Sequence, residues 1–156
     1  MDLFFKRKVV LEMDEYENLK LNNQFCFSLY SLAKEITRLY KPFLDELGIT
    51  YTQYITLLVL WEKDGINMNE IGDRVCLDSG TLTPLLKKLE SNGFIERKRP
   101  KEDERNIIVT LTDKGKELKE KAVDIPKLMA EKTNIPIEEI VEERDRLKGL
   151  YKKIKR

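Results

Sequence analysis

With 156 residues, 41% hydrophobic and 37% charged, the chain has the length of one compact domain or one subunit of an oligomer. Its 29 basic and 28 acidic side chains leave a net charge of +1, so nucleic-acid binding requires a local basic patch rather than a whole-molecule field. Histidine is absent, which removes His-based metal sites, Ser–His and Cys–His nucleophilic pairs and imidazole acid–base chemistry, and weakens most enzyme readings.

Residues 1–19 are charged and lack a period, which reads as a poorly anchored arm. Asp2 precedes the Phe4-Phe5 patch and basic residues follow it, the reverse of a secretory signal. No apolar run approaches the roughly 18 residues that span a bilayer. Phe25, Leu29, Leu32, Ile36, Leu39, Phe43 and Leu47 then recur at steps of three and four. This spacing predicts a long amphipathic helix, capped by Asn22 or Asn23 and closed by Gly48. A second helix follows, with Tyr54, Leu57, Leu58 and Trp61 on its inner face and its end near Gly65.

Two short helices come next. The first runs from about Asn69 to Cys76 with Ile71 and Val75 inward, and Leu77–Gly80 is the turn. The second carries Leu82, Leu85, Leu86 and Leu89 and stops at Asn92-Gly93. Pro84 requires it either to begin late, around Thr81, or to bend. This is the helix-turn-helix pattern. The period then changes to two: residues 94–99 and 107–111 read as strands of a hairpin with a charged tip. Thr112 caps a Lys/Glu-rich helix with Leu118, Ala122 and Ile125 inward, kinked at Pro126 and ended by Asn134-Ile135-Pro136. A last helix presents Ile140, Val141, Leu147, Leu150 and Ile154.

The predicted fold is therefore mainly α with a small β-hairpin wing. It is a winged helix-turn-helix over 49–112, with dimerisation helices at 20–47 and 113–156, in one domain spanning 1–156. The outer helices carry more large apolar residues than so small a core can cover. A second copy supplies that cover in a homodimer; the alternative is a monomer whose outer helices fold back on its own core.

The second short helix is expected in the major groove of double-stranded DNA. Ser79, Thr81 and Thr83 near its start are short hydroxyl residues able to reach base edges or phosphates, and Lys87 and Lys88 suit phosphates. Short side chains read bases weakly, so groove shape and bending share the specificity. Lys87, Lys88, Arg97, Lys98 and Arg99 face only Glu90 and Glu96, an excess of 5 − 2 = 3 positive charges per subunit.

Cys26 and Cys76 are too few for a disulfide scaffold or a zinc site, and fit a reduced, cytoplasmic protein. Neither a metal nor a cofactor is expected. Cys26 falls close behind the Asn22 or Asn23 cap, where the helix dipole favours a thiolate. The competing reading of a free cysteine is a small buried hydrophobe. For Cys76, at the end of its short helix beside Val75 and Leu77, that structural reading is preferred. Tyr54 and Trp61 are read as core.

Particular runs resemble the organic-hydroperoxide-sensing, OhrR-type branch of the MarR family. They are Cys26-Phe27-Ser28-Leu29-Tyr30, Tyr40-Lys41-Pro42, residues 47–54, residues 77–90 and Asp103-Glu104-Arg105. The resemblance covers about residues 20–125. It implies an obligate dimer that binds a near-palindromic operator, represses transcription and leaves DNA when a peroxide oxidises one interfacial thiolate, often followed by reaction with a low-molecular-weight thiol. Carried over, the sensing thiol is Cys26, the tyrosines bonding it across the dimer are Tyr40 and Tyr51 with Tyr30 nearby, and Arg105 reaches the minor groove, oriented by Asp103 and Asp78. No cysteine lies in the C-terminal helices, where two-cysteine members keep a resolving one, which places the chain with the one-cysteine kind. The arm is long for the family, and a start at Met13 would leave residues 1–12 outside the functional chain. Alternative readings are a MarR-type regulator induced by a small aromatic ligand, a thiol peroxidase using Cys26, and a winged helix used only for protein contacts.

Overall fold

The computed structural model describes residues 16–100 and 106–155. They fall into two compact units, one ending at Leu39 and the other starting at Tyr40.

In the first unit, short 3-10 turns at Glu17–Leu19 and Leu21–Asn23 precede helix α1 (Phe25–Glu46), which continues past Leu39. Neither Asn22 nor Asn23 caps α1, contrary to expectation. The Asn23 side-chain amide instead donates to the Glu17 carbonyl at 2.8 Å, closing the turns onto themselves. Cys26 is consequently the second residue of the helix. Phe25, Tyr30 and Leu32 are 59%, 59% and 51% exposed, and the first buried residue of α1 is Leu44.

The second unit opens with the end of α1. Gly48 takes φ +68°, and the Ile49 amide turns back onto the Leu44 carbonyl at 3.1 Å, a left-handed helix stop. Helix α2 (Tyr51–Glu62) starts with a capping box: the Gln53 amide donates to the Thr50 hydroxyl, and the Gln53 side chain accepts from the Thr50 amide. Tyr54 and Leu57 are buried as expected, but Leu58 is exposed while Val59 and Leu60 are buried. The helix is packed on several sides by the elements that follow, so a single inner stripe does not describe it.

A two-residue strand, β1 (Ile66–Asn67), leads into α3 (Met68–Val75), capped by Asn67. Helix α4 (Ser79–Ser91) begins directly after Asp78, so Ser79 and Gly80 lie in the helix rather than in the turn, and the helix runs through Pro84. The turn depends on Gly72, where an added Cβ would sit 2.9 Å from the Leu77 carbonyl oxygen. Strands β2 (Ile95–Lys98) and β3 (Ile108–Leu111) pair antiparallel as expected, with Arg97 opposite Val109. Strand β1 adds to the other edge of β3, giving the order β1-β3-β2. Leu57, Ile71, Leu86, Leu89 and Val109 are fully buried and join α2, α3, α4 and the sheet in one core.

Thr112 caps helix α5 (Asp113–Ala122) as expected, accepting from the Gly115 amide and donating to the Gly93 carbonyl. Pro126 does not kink this helix. It stands in the first turn of a separate helix, α6 (Ile125–Thr133), where its missing amide costs nothing. Helix α7 (Ile137–Ile154) has no buried residue; Ile137, Val141, Leu147, Tyr151 and Ile154 are all exposed. Among the described residues no helix is long and apolar enough to cross a membrane.

Candidate DNA interface and thiol site

The start of α4 is built around Asp78. Its carboxylate accepts the Thr81 amide at 2.9 Å and the Thr81 hydroxyl at 3.0 Å. These bonds hold the Asp78 carboxyl below the usual carboxylate range. Asp78 therefore caps α4 and fixes its first turn. The Thr83 hydroxyl donates back to the Ser79 carbonyl at 2.7 Å and is half-buried, leaving Ser79 and Thr81 as the exposed hydroxyl residues. Lys87 and Lys88 are exposed further along, while Leu82, Leu86 and Leu89 bury the opposite face.

The wing sorts its cations. Arg97, expected to face DNA, is turned toward α4. Glu90 Oε1 accepts the Arg97 amide at 3.1 Å, and Oε2 accepts Nε at 3.1 Å and Nη2 at 2.5 Å. The guanidinium holds the Glu90 carboxyl below its ordinary value. Lys98 pairs with Glu96 at 2.8 Å on the outer surface. Among the described residues, Lys87, Lys88 and Arg99 then remain outside any ion pair, the same excess of three that simple counting gives. Arg105 and Asp103 lie outside the described residues. The wing is tied to the rest of the core at its base, where Asp64 Oδ1 accepts the Gly65 and Leu111 amides, both at 2.8 Å.

Cys26 is exposed, so its own chain does not bury it as a core hydrophobe. Tyr30 lies one helical turn further along α1, also exposed, with its ring 6.4 Å from that of Phe27. In the second unit the Tyr40 and Tyr51 rings lie 5.1 Å apart, Tyr54 stands 5.8 Å from Tyr40, and Trp61 extends the cluster at 6.3 Å from Tyr54. Burial, and then the neighbouring Tyr51, push the Tyr40 phenol up; burial does the same to Tyr51. Tyr54 is pushed up to about 12 by burial and by its two neighbours. All three are O–H donors at neutral pH. Tyr54 was legible only as core, although its place three residues after Tyr51 puts both on one helical face.

Cys76 corrects the core reading. It is exposed, adopts the left-handed conformation that ends α3 (φ 57°), and its Sγ lies 3.2 Å from the Tyr151 hydroxyl. The left-handed cap takes the residue out of the helical stripe on which that reading relied. No group of three or more acidic or cysteine side chains among the described residues is placed to hold a metal ion.

The family model for the transcriptional regulator SarA/Rot matches residues 38–122. The organic hydroperoxide resistance transcriptional regulator of Bacillus subtilis is 52% identical over 113 residues, 72% of this chain and 77% of that protein. The HTH-type transcriptional regulator SarZ of Staphylococcus saprophyticus is 41% identical over 141 residues, 90% of this chain and 96% of its own. Among solved structures, reduced AbfR bound to DNA superposes with a TM-score of 0.77 at 36% identity, covering 91% of this chain and 97% of that one. The winged helix, its wing and these relatives agree: the chain is a transcriptional regulator of the MarR family, in the branch of the organic-hydroperoxide regulators.

Proposed function

We propose that this protein is a homodimeric repressor that leaves its operator when an organic hydroperoxide oxidises Cys26. The observation that carries the reading is the placement of Cys26: an exposed thiol in the first turn of a helix, one turn before the exposed Tyr30 on the same face. A second copy covering that face would enclose the thiol in an apolar pocket suited to greasy peroxides. Tyr40 and Tyr51, protonated at neutral pH, are the donors this reading assigns to the thiolate across the dimer.

In the reaction, the thiolate sulfur attacks the terminal peroxide oxygen. An S–O bond forms, the O–O bond breaks, and the departing alkoxide takes a proton to leave as an alcohol. Sulfur loses two electrons and becomes a sulfenic acid. A low-molecular-weight thiol condenses with it, releasing water and leaving a mixed disulfide. The added bulk at the interface disfavours the reduced arrangement, in which two recognition helices stand about one DNA turn (~34 Å) apart. A coupling of only ~3 kcal/mol weakens operator binding more than a hundredfold.

Titration of the reduced protein with cumene hydroperoxide tests this. DNA release should track the addition of one oxygen, or one small thiol, to Cys26 by mass spectrometry. Release with Cys26 still reduced would reject the reading.

A further inference from the structure

Among the described residues, five of the ten ion pairs join neighbours along one α-helix, and such exposed pairs contribute little. The Glu90–Arg97 pair is different in kind. Glu90 stands in the last turn of α4, and Arg97 within β2, an edge strand of the sheet. One carboxylate receives both the main-chain amide and the guanidinium of a single residue. The amide bond fixes the strand and the two guanidinium bonds fix the side chain, so this carboxylate holds the strand as well as its side chain. The Arg97 side chain is only 19% exposed, which limits screening by salt.

We infer that Glu90 and Arg97 are positioning residues for operator binding: their clamp sets the angle between the recognition helix and the wing. The inference rests on the DNA-binding reading above. Strand alternation explains why the clamp matters there. With Ile95 and Arg97 turned inward, Glu96 and Lys98 face out, and Arg99 follows toward the tip. The cations that can touch phosphate are thus carried on a strand whose orientation is held by one that does not. Helix and wing must reach the duplex together, so an unfastened wing lowers the effective concentration of its own contacts.

The sign of one substitution separates this from simple electrostatics. Glu90→Gln removes a negative charge from a DNA-facing region, and the field alone would strengthen binding. The clamp predicts weaker binding, by about tenfold, the loss expected when a charged hydrogen-bond network is broken. Arg97→Gln should weaken binding to a similar extent while leaving the salt slope unchanged, whereas a lost phosphate contact lowers that slope by about one. The double variant should be no worse than either single one, and Arg97→Lys should recover part of the loss. The experiment is fluorescence anisotropy with the full chain and a duplex from upstream of its gene, over a salt series, with thermal melts to confirm folding. Glu90→Asp, which keeps the charge but shortens the reach, replaces the glutamine variant if that one does not fold. Tighter or unchanged binding by the Glu90 variants, or a reduced salt slope for Arg97→Gln, would overturn the clamp alone. A wild type with no salt-dependent DNA binding would overturn the DNA reading together with it.

Discussion

The Tyr40 and Tyr51 rings meet at 5.1 Å with their planes 57° apart, and both are half-buried. Their raised pKa values keep them as hydrogen-bond donors throughout the physiological range. If they stabilise the Cys26 thiolate across a dimer, Tyr51→Phe should slow Cys26 oxidation by about tenfold, the worth of one hydrogen bond to a charged acceptor. The double Phe variant should be slower still. Stopped-flow rates with cumene hydroperoxide check this, and an unchanged rate removes the tyrosines from the mechanism.

Asp78→Ala should lower the melting temperature and weaken DNA binding, because it releases the first turn of α4. The pH dependence has a definite sign. The Asp78 carboxyl is depressed in the folded state, by its bonds to the Thr81 amide and then hydroxyl. Its stabilisation is therefore complete above the ordinary aspartate value and is lost as pH falls through the lower, folded one. The gap in melting temperature between wild type and Asp78→Ala should be full at neutral pH and close only in strong acid. A gap that closes as pH rises would contradict this cap.

The architecture was legible from Leu82, Leu85, Leu86 and Leu89 and from the switch to a period of two after Gly93, because burial against one core imposes those repeats. Strand β1 was not, since Ile66 and Asn67 are too few to show a period; their pairing is set by β3. The first turn of α4 was misplaced at Ser79-Gly80, where an Asp cap outweighs the turn preference of glycine. Arg97 could be recognised as a cation but not assigned a direction, which follows from strand alternation and the position of Glu90. Cys76 and Tyr151 lie 75 residues apart, and only the tertiary fold brings them into contact.

The exposed apolar residues of α1 and α7 should be covered by a second copy. Sedimentation equilibrium is expected to give twice the subunit mass, and Leu32→Lys or Leu147→Lys should shift the protein toward monomer and weaken operator binding with it. A wild-type monomer at micromolar concentration would contradict the dimer.

The central claim is that Cys26 is the switch, and a gel-shift with wild type and Cys26→Ser side by side tests it most directly. The DNA comes from upstream of the gene, at fixed salt, with and without organic hydroperoxide. The account predicts that both proteins bind when reduced and that only the wild type releases DNA on oxidation. Release of the serine variant by peroxide, or retention of DNA by the oxidised wild type, would contradict it.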